Sequence, residues 1–125
     1  MNKPTSARRG LGDAGEELAA RALRARGLVV VARKFRCRSG EIDLIARDGE
    51  SLVFVEVKTR RGNRFGTPEE AVHPRKQRKL IQVAETYLQQ QMLDDVDWRI
   101  DVVAVEMDAR GHVQRVDVIE HAVER

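Results

Sequence analysis

The chain has 125 residues, the length of one domain around a single hydrophobic core. Its 42% hydrophobic and 34% charged residues are an ordinary globular composition, with no apolar run long enough to cross a bilayer and no secretory pattern after Met1. The single cysteine, Cys37, excludes an intramolecular disulfide and any multi-cysteine metal site; a cytoplasmic protein is expected because nothing directs export, and it carries a net charge of +3.

Residues 1–10 are polar and basic, with Pro4 and Gly10, and read as a loose arm ahead of a single domain over 11–125. Leu11 to Arg26 reads as a helix. Its apolar stripe comprises Leu11, Gly15, Leu18, Ala19, Ala22 and Leu23, and Gly27 is a stop signal. Leu28 to Phe35 is a β-branched strand, and Arg38-Ser39-Gly40 is a turn. Glu41 to Arg47 alternates, with Ile42, Leu44 and Ala46 on one side and Glu41, Asp43 and Ile45 on the other. Asp48-Gly49 marks a hairpin into Ser51–Lys58. There Val53, Val55 and Val57 face one way and Phe54, Glu56 and Lys58 the other, in a strand apolar enough to be central.

A basic loop over 59–67 follows. A second helix is expected to start between Pro68 and Pro74 and to run to about Met92, burying Leu80, Ala84, Tyr87 and Leu88. Trp98–Glu106 reads as a strand and Val113–Ile119 as a last one. The order is helix, three strands, helix, one or two strands. A sheet with helices packed on it is the economical way to cover these faces.

The charge falls in blocks. Residues 1–40 hold ten Lys/Arg against three acids, and residues 58–79 hold eight against two. Residues 41–57 between them hold five acids and one Arg, and residues 80–125 hold ten acids and four Arg. Basic stretches suit a polyanion such as a nucleic-acid backbone. Acids in the middle of such a surface would repel that ligand unless a cation bridges them.

The acids that matter are in Gly40-Glu41-Ile42-Asp43-Leu44-Ile45 and Val53-Phe54-Val55-Glu56-Val57-Lys58. Charged residues are rarely placed in buried strands without partners. A hairpin would carry Asp43 and Glu56 on adjacent strands, and Glu56 and Lys58, two apart, project from one face. Two carboxylates make a good oxygen site for Mg²⁺ or Mn²⁺. Lys58 could position a water or stabilise charge on a phosphate, and the Val57 carbonyl lies between the two side chains. The plainer alternative is a buried salt bridge from Lys58 to one of the acids.

The pattern Asp43 … Glu56-Val57-Lys58 resembles the core of the PD-(D/E)xK nuclease superfamily, with Ile42 where that superfamily's naming proline would stand. More closely, the chain resembles the YraN-like bacterial family, which is similar to archaeal Holliday-junction resolvases. The matching segments include Gly12-Asp13-Ala14-Gly15-Glu16, Arg38–Ala46, Val53–Arg60, Phe65-Gly66-Thr67-Pro68, Ala71-Val72, Lys76 and Arg99–Val103. The resemblance implies a restriction-endonuclease-like α/β fold of three layers. A central mixed sheet would be flanked by helices, in the order α-β-β-β-α-β(-β). It implies a metal site of Asp43 and Glu56, with Lys58 catalytic and Glu16 as a further ligand or water anchor. The plainer reading of Glu16 is an exposed acid near a helix start.

Arg60, Arg61, Arg64 and Lys76 are candidates for phosphate contact, though any one of them alone fits a solvated charge better. Glu41 is either a further site acid or a surface acid, and Asp101 suits structural support of Arg99 or Arg60. The three histidines lack zinc spacing, and aromatic residues at 4% give no stacking platform for single strands. The function expected first is Mg²⁺- or Mn²⁺-dependent hydrolysis of DNA by a structure-selective endonuclease. A resolvase-like role would call for a symmetric homodimer. The alternatives are a catalytically silent nucleic-acid-binding module and an adaptor acting through protein partners.

Overall fold

A computed structural model of the protein describes residues 3–62 and 73–123. Helix α1 spans Lys3–Ala25, strands β1, β2 and β3 span Val29–Cys37, Gly40–Asp48 and Ser51–Arg61, helix α2 spans Pro74–Gln90, and strands β4 and β5 span Trp98–Met107 and Val113–Val123. This is the α-β-β-β-α-β-β order expected of the α/β class. No helix among the described residues is long and apolar enough to cross a membrane.

Helix α1 starts at Lys3 rather than at Leu11, so the segment expected as a loose arm is helical from its third residue. Residues 5–9 contain no breaker, Pro4 sits in the first turn where its missing N–H is not needed, and Gly10 and Gly12 weaken a helix without ending it. The end falls as expected. Gly27 has φ 91°, Leu28 N–H donates to the Leu23 carbonyl at 3.1 Å and Gly27 N–H to that of Arg24 at 2.9 Å. These are the paired bonds of a Schellman stop.

The five strands form one mixed sheet in the order β1-β2-β3-β4-β5. β3 lies at its centre, antiparallel to β2 and parallel to β4. The parallel pair requires a crossover, and α2 supplies it. Pro74 opens α2, whose first turn contains no acid.

Each face of the sheet is covered by one helix. Ala19, Ala20 and Leu23 of α1 pack on Leu44, Ala46, Val53, Val55, Val103 and Val105. Leu80, Val83, Ala84 and Leu88 of α2 pack on Ile42, Ile45, Leu52, Phe54 and Ile100, with Tyr87 edge-on to Phe35 and Phe54. The result is a three-layer α/β/α sandwich. The buried stripe of α1 is turned from the expected one: Gly15, Glu16, Ala19, Ala20 and Leu23 are buried, while Leu18 and Ala22 are half-buried. That turn brings an acid, Glu16, to the sheet.

Candidate metal centre

The site is made where two central strands part. β2 and β3 pair from Asp48↔Ser51 up to Leu44↔Val55, and there the ladder stops. Continued by one step, the register would set Asp43 opposite Glu56. Instead the Asp43 side chain takes the place of the ladder, its Oδ2 accepting the Val57 N–H at 2.7 Å. The backbone N–H and C=O of one residue share an edge of a strand, so the Val57 carbonyl also faces this opening. The break shows in the packing. Ile42 was expected on one face with Leu44 and Ala46, but it packs under α2 while they pack under α1. Alternation fails at Asp43 because its side chain, rather than its backbone, makes the bond to β3.

Beyond the parting, β3 continues alone beside β4, from Glu56↔Val102 to Arg61↔Met107. Alternation puts Glu56 and Lys58 on the α2 face. Glu56 is only 5% exposed, yet two ammonium groups reach its Oε2: Lys58 Nζ at 3.4 Å and Lys76 Nζ at 3.3 Å. Lys76, expected only as a phosphate contact, therefore enters the centre itself from the first turn of α2.

Burial and the neighbouring charge of Glu56 push the Asp43 carboxyl up to about 7, against the opposing pull of the Val57 N–H. A hydrogen bond between the two carboxyl groups, and the charge of Glu16, act in the same direction as burial. Two acids this close do not both ionise readily, so the pair holds a proton near neutrality.

Glu16 is buried at the α1–sheet junction and is held by Lys34 of β1, whose Nζ lies 2.8 Å from Glu16 Oε2 and 3.2 Å from Asp13 Oδ1. The bond to Glu16 raises the Lys34 ammonium above its ordinary range. Sequence reasoning missed Lys34. Its partners lie 18 and 21 residues away, and nothing beside it sets it apart from the other cations of residues 33–38. Among the described residues, no three His, Cys, Asp or Glu side chains gather into a ligand set. Glu16 thus stands outside the Asp43–Glu56 pair, within electrostatic reach of it.

The remaining candidates separate. Arg60 lies on β3 on the face of Glu56 and Lys58. Arg61 turns to the β4–β5 turn, its Nε donating to the Ala109 carbonyl at 3.2 Å. Arg64 lies outside the described residues. Glu41 pairs across the first hairpin with Arg36 at 2.5 Å and does not join the acids. Asp101 is fully buried against Arg99, Nε to Oδ1 at 3.1 Å, in the supporting role expected of it.

The strand and helix that build this centre lie within a stretch, residues 15–105, that matches the Uncharacterised protein family UPF0102. The chain is 44% identical over 122 residues to a UPF0102 protein of Caldicellulosiruptor saccharolyticus, covering 98% of this chain and 99% of that one. It is 52% identical over 114 residues to one of Symbiobacterium thermophilum, covering 91% and 96%. A third, from Nocardia farcinica, is 52% identical over 110 residues, covering 86% and 84%. The chain belongs to the UPF0102 family, the YraN-like family that its motifs resemble.

Proposed function

We propose that this protein is a nuclease that hydrolyses phosphodiester bonds of DNA as a structure-selective endonuclease, with Mg²⁺ or Mn²⁺ held between Asp43 and Glu56. The observation that carries this reading is the meeting of a buried acid, Glu56, and a half-buried one, Asp43, at a parting of strands, with two lysines converging on Glu56. The donor set fits the ion. Two carboxylates and the Val57 carbonyl edge are hard oxygen donors, and Mg²⁺ is commonly held by one or two carboxylates with water completing its shell. The ion would supply Lewis-acid polarisation of the phosphate and activation of water.

The chain's own groups do the rest. Asp43 and Glu56 bind through their oxygens, and the proton held by the pair leaves when they do so. Lys58 and Lys76, two cations on one carboxylate, stabilise charge growing on a phosphate seated beside Glu56. Glu16, fixed by Lys34, orients water at the edge of the site. A silent binding module is the second reading, favoured by the lack of a third gathered carboxylate among the described residues.

The test titrates Mn²⁺ and Mg²⁺ into the purified protein and its Glu56→Gln and Lys58→Ala variants, with labelled branched and linear DNA. Metal-dependent cutting by the parent, preferring the branched substrate and reduced about a hundredfold or more in each variant, is expected. Undiminished cutting by both variants would overturn the site. Binding without cutting by all three would leave the silent module, and neither binding nor cutting would point to a protein partner.

A further inference from the structure

Beside the acids lies a cavity of about 340 Å³ lined by His73, Arg75, Lys76 and Lys79. Among the described residues that line it, Arg75, Lys76 and Lys79 are fixed cations within five positions of one helix. Arg75 and Lys79 are four apart and Lys76 and Lys79 three apart, so they neighbour one another on the α2 surface and repel. Arg78, exposed next to them, adds a further like charge three residues from Arg75. Among the described residues, the salt bridges that relieve crowding elsewhere, such as Glu17 with Arg21, Arg24 and Arg33, have no counterpart around Arg75 and Lys79. Among the described residues, neither Arg75 nor Lys79 meets a carboxylate. Lys76 alone does, and its carboxylate is Glu56.

We propose that this cavity binds the phosphodiester backbone of a nucleic-acid strand and hands that strand to the acids through Lys76. Two features carry the inference. The cations are concentrated around a concavity instead of being spread over a surface, and one of them belongs at the same time to the reaction centre. A cationic ligand would add to the repulsion among these side chains, whereas a polyanion relieves it. The route differs from the one suggested by the basic loop after β3, because Arg61 is committed to the β4–β5 turn. This inference deepens the nuclease reading and rests on it in one respect, that the strand bound here is the one presented to Asp43 and Glu56.

The experiment measures binding of a labelled DNA duplex in EDTA, where no cutting occurs, as a function of salt. It compares the full-length parent, the double variant Arg75→Gln/Lys79→Gln, and a charge-matched control, Arg24→Gln/Arg47→Gln, made at the end of α1 and near the β2–β3 hairpin. Melting curves confirm that all three fold. The cavity variant is expected to bind about tenfold more weakly or worse near 0.1 M salt, with the slope of log K on log salt reduced by about one for each cation removed, and the control to match the parent. Parent-like binding by the cavity variant, equal weakening in the control, or no binding by the parent overturns the proposal. Cutting assays on the same proteins keep the two readings apart. Binding lost through the cavity in a protein that never cuts would retain this site and sink the nuclease, and cutting with an unchanged cavity variant would do the reverse.

Discussion

Asp43 is the residue on which the site turns. It ends one ladder, receives the Val57 N–H and faces Glu56, and its carboxyl is pushed up to about 7 by burial first and by Glu56 second. Its ordinary value is 3.8, so between about 4 and 7 the folded chain keeps a proton that the unfolded chain has released. Stability therefore falls as pH rises through that window and levels above it. Asp43→Asn should remove this slope and raise the melting temperature at pH 8 by about 3–5 °C, roughly 1 kcal/mol, while abolishing cutting. Thermal melts across the window check it, and a variant keeping the parent's slope would move the proton to another group. Asp43 and Glu56 were legible because acids stand out in apolar strands. Lys34 was not, since its role depends on α1 lying across β1.

At the scale of the elements, the closeness of α1 to β3 decides whether Glu16 reaches the centre. A side chain at Gly15 would place its Cβ 2.0 Å from Thr59 Oγ1 and 3.1 Å from Thr59 Cβ. The hydroxyl can turn away about χ1, but the Thr59 Cβ stays in tight contact, so the helix or the strand must give by a few tenths of an ångström. Gly15→Ala should therefore destabilise the fold by about 1–3 kcal/mol, as overpacking does. Thr59→Ala in the same chain should recover part of the loss. Denaturant unfolding of the two singles and the double gives the coupling, and additive losses would mean that the contact does not hold the helix in place. The pattern marked Gly15 as part of an apolar stripe. That it is a point of backbone approach could not be read, because its partner is 44 residues away on another layer.

Across the molecule, the end of the sheet away from the acids is tied by a network centred on Arg99. Its guanidinium meets Asp101 at 3.1 Å, Asp48 of the hairpin at 3.3 Å and Glu120 of β5 at 3.8 Å, while Glu120 also meets Arg26 just after α1. Asp101 Oδ1 further accepts the His121 N–H at 3.0 Å, where the β4–β5 register shifts. Removing Asp101 takes the buried partner from Arg99, leaving it Asp48 and Glu120, and takes the acceptor from the His121 N–H, so Asp101→Ala should cost about 3 kcal/mol. A lower denaturant midpoint with an unchanged slope is the expected reading, with cutting per folded molecule unaltered. A loss below about 1 kcal/mol would class these contacts with ordinary surface pairs.

Local pattern was enough to determine the element order, a helix-covered sheet, the central place of β3 and the pair Asp43 and Glu56, while the three layers were implied by the family resemblance. Periodicity of apolar residues, glycine stops and charges out of place in strands are all written within a few neighbours. The tertiary structure alone decided what depends on distance. It extended α1 to Lys3 and turned its buried stripe to admit Glu16. It broke the alternation of β2 at Asp43, drew Lys76 to Glu56 and Lys34 to Glu16, and set His73, Arg75 and Lys79 around a cavity beside the acid pair. Those outcomes follow from which helix covers which face and how closely, a balance of packing and desolvation between residues far apart in the chain.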